Sequence, residues 1–390
     1  MNYHELKERI YSEIEKNKAE LTALNDDIAD HPEISGEEYE TSKKIVKLLD
    51  KHGYHTEYPF AGLDTAFKAV YGDNNHKYKI AILTEYDALP EIGHACGHCL
   101  SGSISVLSGL ATKNLQDELD ADIHVIGTPI EETDGAKCTM VKKGVFDDYD
   151  MAIMVHLYNS NIVAPTLQGL ASYMYQFHGK AAHASAAPWD GVNAFNAAQL
   201  MFHAVDMLRQ HCKPDAQFHG IIRNGGEAPN IVPEEVTAEF YIRALDKHYL
   251  QELVQKVDDC AKGAAIATQT TWDKYATAEV YDNLKKNPTG VSSLEEVYDE
   301  LAIPINGDSN KIFGSSDAGN VSFACPAFHP CLQVVDADTP IHTRGFAEAM
   351  KTERAHQALV TGAKIISLQI AKIFSDEDKI NRLKADFERD

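Results

Sequence analysis

Short apolar runs alternate with helical segments over residues 66–156, and this alternation limits the possible folds more than any other feature of the chain. The runs Ala66–Val70, Ile80–Leu83, Ile123–Gly127 and Met151–Val155 have the length and composition of buried strands. Helical patterns lie between them, and two amphipathic patterns precede them. Strands that alternate with helices predict an α/β fold, in which a mostly parallel sheet is sandwiched by helices.

Residue types that bind metals follow three of these strands. Cys96 and His98 come after the second strand, Glu131 and Glu132 directly follow the third, and His156 follows the fourth. Open α/β sheets assemble their sites at the carboxyl ends of the strands. We therefore expect these three segments to converge at one edge of the sheet.

The segment around Gly97 combines a thiol with an imidazole two residues later. Cys96 and His98 are ligand types that suit zinc or a similar divalent ion, and the glycine between them lets the backbone turn. Taken alone, the segment also fits a redox pair of Cys96 and Cys99, half of a zinc ribbon, or a buried cysteine beside a histidine of the core.

The adjacent carboxylates Glu131 and Glu132 fit a metal-dependent hydrolase. One carboxylate can bind the ion while the other takes the proton of its water. His342, late in the chain, adds a further nitrogen ligand. The candidate ligands exceed the needs of one open tetrahedral zinc site, which predicts two metals that share a ligand.

After residue 168 the pattern changes to β-α-β-β-α-β, the order of a ferredoxin-like unit. The predicted elements are Leu170–Phe177, Val192–Arg209, Phe218–Arg223, Glu235–Leu245, Tyr249–Ala267 and Thr270–Ala276. We therefore predict a catalytic domain made of residues 1–168 and 281–390, with an α+β domain of residues 169–280 inserted into it.

The pattern of residues 281–390 predicts that the chain returns to the first domain. A strand is expected at Phe328–Val335 and one long amphipathic helix at Phe346–Phe374. The charged tail after Ser375 is expected to be a solvated end.

Charge and composition exclude several classes of protein. A net charge of −23 and a pI near 5.1 argue against nucleic acid and anionic membrane surfaces as partners. The chain shows neither an apolar run of membrane-spanning length nor the features of a signal peptide at its start, which predicts a cytoplasmic protein. Seven cysteines, an odd number, fit reduced thiols better than a disulfide framework.

Several motifs together carry a family resemblance that runs from about residue 15 to residue 370. They are Glu85–His98, Gly127–Glu132, Met154–His156, Gly179–Ser185, Ala228–Pro233 and Ile341–Arg344. In this order they resemble the motifs of the metal-dependent aminoacylase and carboxypeptidase-type amidohydrolases and peptidases. The branch of aminobenzoyl-glutamate hydrolases and related dipeptidases is the most similar, with hippurate and auxin-conjugate hydrolases as nearby relatives.

The resemblance implies a dinuclear site for two divalent ions, zinc or manganese, with cobalt possible. Its metal ligands correspond to Cys96, His98, Glu132, His156 and His342. Glu131 matches the general base, which takes the proton of the attacking water. Asp87 matches an acidic residue that orients a metal ligand, although the aspartate of an ordinary strand-end turn is an alternative.

The resemblance also implies a role for the inserted domain as a lid that mediates homodimer formation. His183 matches a histidine that helps to stabilise the tetrahedral oxyanion. Asn230 and Arg243 match lid residues that meet the carbonyl or carboxylate of the substrate, although Arg243 also fits a surface ion pair. Asp317 fits either the border of the pocket or a helix cap.

We therefore predict an enzyme that cleaves the amide bond of a small N-acyl amino acid or dipeptide. The chain departs from the branch at Cys99, where Asp or Asn is usual. A thiol cannot give the metal ligands the strong hydrogen bonds of a carboxylate, so the orientation of the ligands and the preferred metal are open at this position. Two alternatives remain: a non-catalytic, metal-bearing binding or regulatory module, and a thiol redox protein that uses Cys96 and Cys99.

Overall fold

The computed structural model describes residues 2–389. Its α-helices are α1 (Tyr3–Asp30), α2 (Tyr39–Lys51), α3 (His98–Thr112), α4 (Gln116–Leu119), α5 (Ala136–Lys142), α6 (Ala194–Leu208), α7 (Lys247–Thr268), α8 (Pro288–Glu300), α9 (Ala318–Ala324), α10 (Arg344–Ala349), α11 (Glu353–Phe374) and α12 (Glu377–Glu388). Its strands are β1 (His55–Glu57), β2 (Phe67–Val70), β3 (Tyr78–Thr84), β4 (Ala121–Gly127), β5 (Met151–Ile153), β6 (His156–Tyr158), β7 (Thr166–Leu167), β8 (Gly169–His178), β9 (Gln217–Asn224), β10 (Glu235–Ala244), β11 (Thr271–Ala276), β12 (Ile312–Gly314), β13 (Ala327–Phe328) and β14 (Cys331–Gln333).

The chain divides into two compact units. Unit 1 contains the residues up to Thr166, Leu284–Phe313 and the residues from Asp317 onward. Unit 2 contains Leu167–Asn283 and the short segment Gly314–Ser316. The roles of the two units as catalytic domain and lid stay a prediction, as do the boundaries at 168 and 280.

Unit 1 is built around a six-stranded sheet with the order β1-β2-β4-β3-β5-β13. The pairs β4–β3, β3–β5 and β5–β13 are parallel, and β2 pairs antiparallel with β1 and β4. On β3, Ile80 and Ile82 belong to a core shared with α1, α3 and α11, whereas Ala81 and Leu83 belong to a second core with α5. Both faces of this strand are thus buried under helices, as parallel sheets require, and the predicted fold class is confirmed.

Unit 2 contains a four-stranded antiparallel sheet with the order β11-β8-β10-β9. Helices α6 and α7 pack on one another and share a core with the sheet. The chain order β8-α6-β9-β10-α7-β11 is the predicted ferredoxin-like arrangement.

Several elements differ from the sequence-based expectation. The strand predicted at Phe328–Val335 is two short strands, β13 and β14, with Pro330 between them, which has no N–H to donate to a ladder. The helix predicted at Phe346–Phe374 is divided into α10 and α11, and Thr352 caps the start of α11.

The prediction of a solvated tail is wrong. The tail forms α12, which Asp376 caps, and its Ile380 and Leu383 are buried in the core of unit 1. Most residues of this segment are charged or polar and only these two are buried, so the sequence pattern resembled that of a solvated end.

Within residues 2–389 no single helix has the length and apolar character needed to cross a membrane; α11 and α12 pass this test only as a pair bent by 99°.

Candidate metal centre

Cys96 and His98 lie where the loop after β3 turns into α3. Gly97 between them has a φ of +83°, and a Cβ on it would lie 3.0 Å from the Cβ of Leu157. Only glycine fits this left-handed, crowded position without strain. The helix begins at His98, so the ring of this histidine is held by the first turn of α3.

The sequence-predicted ligands come together at the carboxyl ends of the strands of unit 1. Three groups have donor atoms that all lie within 4.8 Å of one another: Cys96, His98 and His156; Cys96, Glu132 and His342; and His98, Glu131 and Glu132. The Cys96 Sγ to His156 Nε2 distance is 3.4 Å, and the His342 Nε2 to Glu132 Oε2 distance is 3.7 Å. One cluster thus contains all five predicted ligands and the predicted general base.

The two buried imidazoles turn the same nitrogen toward this cluster. His98 Nδ1 lies 2.8 Å from Asp87 Oδ1, and His156 Nδ1 lies 2.8 Å from the carbonyl oxygen of Leu157. Each Nδ1–H donates to an oxygen, which leaves the lone pair of Nε2 for a metal ion. In the described part of the chain, His98 Nε2 and Glu132 Oε1 are buried without a hydrogen-bond partner. A thiol, imidazoles and carboxylates with unsatisfied buried atoms fit divalent metal ions.

Asp87 connects two of the ligand segments. Its Oδ1 meets the ring of His98, and its Oδ2 accepts hydrogen bonds from the backbone N–H of Glu132 at 2.9 Å and from the hydroxyl of Ser35 at 2.5 Å. Burial raises the pKa of this carboxyl, but His98 and the hydrogen bonds hold it well below its ordinary value. The geometry suits a carboxylate that orients His98, the role we predicted.

Strained backbone places two of the cluster's side chains. Ile130, directly before Glu131, has a φ of +62°, and His342 has a φ of +61°. A positive φ is costly for a β-branched residue, so the surrounding structure must hold it. The buried carboxylate of Glu38 accepts the N–H of Ile130 at 3.0 Å, and the carbonyl of Ala95 accepts the N–H of His342 at 2.8 Å.

A buried lysine lies beside the predicted base, and sequence reasoning missed it. Lys137 Nζ lies 2.7 Å from Glu85 Oε1 and 2.6 Å from Asp317 Oδ1, and all three side chains are fully buried. The backbone N–H of Lys137 also donates to Asp317 Oδ2 at 2.9 Å. Asp317 therefore pairs with a lysine, and its side chain makes no cap bond to α9.

Glu131 is the third carboxylate of this neighbourhood. One oxygen each of Glu85, Glu131 and Asp317 lies within 4.8 Å of the other two. Burial raises the pKa of Glu131 well above its ordinary value, and Glu85, Glu132 and Asp317 raise it further. Burial raises the pKa of Glu85 as well, but Lys137 and, after it, the nearby His98, His156 and His329 together outweigh burial and lower the pKa to about 2. Burial and like charges thus raise the proton affinity of Glu131, whereas Lys137 and the nearby histidines keep Glu85 ionised.

His329 is a second functional candidate that sequence reasoning missed. Its ring stacks on that of His156 with centroids 5.1 Å apart, and both of its nitrogens are buried without a hydrogen-bond partner among the described residues. The only signal in the sequence is its position directly after β13 at the carboxyl edge of the sheet.

Cys99 follows His98 in the first turn of α3, and its side chain lies in the main hydrophobic core of unit 1. Its side chain is fully buried, and burial raises its pKa to about 12, so the thiol is neutral. Cys96 and Cys99 are both free thiols. Cys99 thus contributes apolar packing at the position where the similar branch has Asp or Asn.

The three predicted substrate contacts of the inserted domain all lie in unit 2. His183 and Asn230 belong to neighbouring segments, because the N–H of Ala184 donates to the carbonyl of Asn230 at 2.9 Å. Both side chains are exposed. Arg243, on β10, is half-buried and donates to the hydroxyl of Ser315 at 2.9 Å. Among residues 2–389 no carboxylate lies within ion-pair distance of its guanidinium, and the role of Arg243 stays a prediction.

Comparisons with known proteins agree with this architecture. The M20 model described as "Peptidase dimerisation domain" matches residues 166–268. A Xaa-Arg dipeptidase of Mus musculus is 34% identical over 384 residues, which cover 93% of this chain and 88% of that protein. The chain belongs to the M20 family of peptidases. The predicted class, a metal-dependent amidohydrolase or peptidase that acts on amide bonds, is confirmed by this membership.

Other members of the M20 family and its fold extend the comparison. One of the p-aminobenzoyl-glutamate hydrolase subunits of Escherichia coli is 27% identical, over 93% of this chain and 91% of that protein. A dinuclear metal-binding peptidase of the M20 family from Bacillus subtilis superposes with a TM-score of 0.70 at 18% identity, covering 92% of this chain and 99% of that chain. An aminobenzoyl-glutamate utilization protein from Klebsiella pneumoniae has a TM-score of 0.72 at 17% identity, with 93% and 98% covered. These two structures show that the fold is shared.

Proposed function

We propose that this protein hydrolyses the amide bond of a small N-acyl amino acid, an aminobenzoyl-glutamate-like compound or a dipeptide, with the help of two divalent metal ions. One observation carries the proposal: five side chains of metal-ligand type, of which all but His342 are mostly buried, converge on one cluster that also contains the carboxylate of Glu131. They are Cys96, His98, Glu132, His156 and His342.

The residues present fit two ions. Cys96, His98 and His156 would hold one of them, and Cys96, Glu132 and His342 the other, with Cys96 as the shared ligand. Bound divalent ions would supply Lewis acidity that lowers the pKa of water and polarises the carbonyl of the substrate. We favour zinc over manganese or cobalt, because a thiolate is a soft ligand.

The chain's own residues carry the proton transfer. Glu131 lies at the edge of the cluster, with Oε2 4.0 Å from His98 Nε2. A carboxylate at this position can accept a proton from the attacking water and later donate it to the leaving nitrogen. Asp87 fixes the ring of His98 and the backbone of Glu132, which holds the ligands in place during both steps.

We assign substrate contacts to unit 2. His183 would donate a hydrogen bond to the oxygen that becomes negative in the transition state. Asn230 and Arg243 would bind the carbonyl or carboxylate of the substrate; a guanidinium suits a carboxylate because it can donate two parallel hydrogen bonds. In this proposal residues 169–280 are the lid and dimerisation domain, and residues 1–168 and 281–390 form the catalytic domain.

The substrate class rests on chemistry and on the names of the relatives. The similar proteins are described as Xaa-Arg dipeptidases and p-aminobenzoyl-glutamate hydrolases, whose substrates have an amide bond next to an amino acid with a free carboxylate. The net charge of −23 would attract a cationic substrate and repel a dianionic one. We therefore place dipeptides with a basic residue ahead of aminobenzoyl-glutamate.

A hydrolysis panel tests the proposal. Metal-stripped enzyme is reloaded with zinc, manganese or cobalt and is assayed against basic dipeptides, aminobenzoyl-glutamate, N-acetyl and N-benzoyl amino acids, and matched esters. We expect amide hydrolysis only after metal is restored, with the highest kcat/KM on a basic dipeptide. Stoichiometric metal binding without hydrolysis of any compound would instead support a non-catalytic, metal-bearing module.

We also propose that the chain forms a homodimer through unit 2, which contains all but the first residue of the match to the peptidase dimerisation domain. Sedimentation analysis of the metal-loaded enzyme should give twice the mass of 43.1 kDa. A monomer at micromolar concentration would contradict this proposal.

A further inference from the structure

A tight turn binds the ring of His183 through one nitrogen. The N–H of Ser185 lies 3.3 Å from His183 Nδ1, and the N–H of Ala186 lies 3.2 Å from the same atom. The hydroxyl of Ser185 is a third neighbour at 3.2 Å. Within residues 2–389 all three hydrogen bonds of this ring end on Nδ1.

The backbone around the turn holds these atoms in place. The N–H of Ala187 donates to the carbonyl of His183 at 3.1 Å, which closes the turn. The N–H of Ala184 donates to the carbonyl of Asn230, and the N–H of Val232 donates to the carbonyl of Ala182, both at 2.9 Å. The turn therefore keeps its shape through backbone bonds that do not depend on the imidazole.

The protonation of the ring follows from these donors. A backbone N–H can only donate, so Nδ1 must accept and cannot carry a proton of its own. A neutral imidazole has one proton, which must then lie on Nε2. The exposed ring thus directs a single N–H donor to its surroundings.

We propose that the turn His183–Ala187 locks His183 in the Nε2–H tautomer, so that the ring meets the substrate's oxyanion as a donor, with Ser185 as the positioning residue. In the opposite tautomer, Nε2 would present a lone pair and repel a developing negative charge. The role of the donor rests on the proposed hydrolysis, whereas the tautomer itself can be measured without any turnover.

The tautomer is measured first. Zinc-loaded, ¹⁵N-labelled enzyme at pH 8 is examined by long-range ¹H–¹⁵N correlation, with His183 assigned from the signals lost in His183→Ala and exposed His203 of α6 as the reference ring. We expect an unprotonated Nδ1 and a protonated Nε2 for His183. A protonated Nδ1, or a mixture like that of His203, would overturn the proposal even if the enzyme is active.

Kinetics then test the donor. Glutamine places its amide nitrogen near the position of Nε2, whereas asparagine reaches only as far as Nδ1. We expect kcat of His183→Gln to exceed that of His183→Asn by roughly tenfold or more, with similar KM, because the bond is made to charge in the transition state. Equal kcat for the two variants would contradict the donor role.

Ser185 is tested by a matched pair. Ser185→Ala removes one of the three hydrogen bonds and should lower kcat by roughly two- to tenfold with KM unchanged. Ser185→Thr keeps the hydroxyl and should restore most of kcat. A wild-type kcat in Ser185→Ala would show that Ser185 does not position the ring of His183. If no variant and no wild-type enzyme hydrolyses any substrate, the proposed function fails while the tautomer measurement still stands.

Discussion

The metal cluster of unit 1 and the His183 turn of unit 2 hold their side chains in opposite ways. In the cluster, contacts between distant segments hold the side chains: Asp87 connects His98 to Glu132, and Lys137 connects Glu85 to Asp317. In the turn, an exposed ring is held by donors two and three residues further along the chain. A buried site thus depends on the whole fold of its unit, whereas an exposed donor can be preorganised locally. Variants of the first should alter stability as well as activity, and variants of the second activity alone.

Glu131→Gln should have the largest effect on activity. A glutamine keeps the shape of the side chain but cannot accept a proton, so kcat should fall by roughly 10²–10⁴-fold. Metal content, measured by elemental analysis, should stay near that of the wild type. Glu8→Gln on the exposed face of α1 is the control. Turnover close to wild type would rule out Glu131 as the general base.

Lys137→Met should have the largest effect on stability. It leaves the carboxylates of Glu85 and Asp317 buried without their cation, which should cost about 3–5 kcal/mol of unfolding free energy. Thermal denaturation checks this against Lys43→Met, which breaks an exposed pair with Glu40 and should leave Tm unchanged. Equal Tm values for the two variants would show that the buried network does not stabilise unit 1.

His183→Ala should separate activity from stability. Loss of one oxyanion donor should lower kcat by roughly 10²–10³-fold. Tm should stay at the wild-type value, because the ring is exposed and the backbone bonds of the turn remain. His203→Ala, at an exposed position of the same unit, is the control for both measurements. A clear fall in Tm would break the contrast between the two regions.

Asp87→Asn should have a smaller effect, on metal affinity or on activity. The amide keeps the size of the side chain but weakens the bond that orients His98, which should reduce metal affinity or activity by roughly 10–100-fold. Competition with a chelator measures the affinity, and Asp64→Asn at an exposed position is the control. Unchanged affinity and rate would mean that Asp87 only shapes the turn after β3.

The pattern of the chain was sufficient to predict the fold class and the meeting of the candidate ligands. The apolar runs predicted the buried strands of unit 1, and the rule that parallel strands end at one edge predicted that Cys96, Glu132 and His156 converge. The order of the motifs indicated the family, and the comparisons confirmed it. The individual roles of these residues stay predictions that the variants above can test.

Other features were decided only by the tertiary structure. Lys137 and Asp317 are separated by 180 positions, and nothing near Lys137 in the sequence shows that its charge is buried. The same holds for Glu38, which supports the strained Ile130, for His329 beside His156, and for the apolar face of α12. The reason is physical. Strand and helix patterns depend on neighbours along the chain, and so can be predicted from it, whereas the burial of a charge depends on a partner that only the folded chain brings within hydrogen-bond distance.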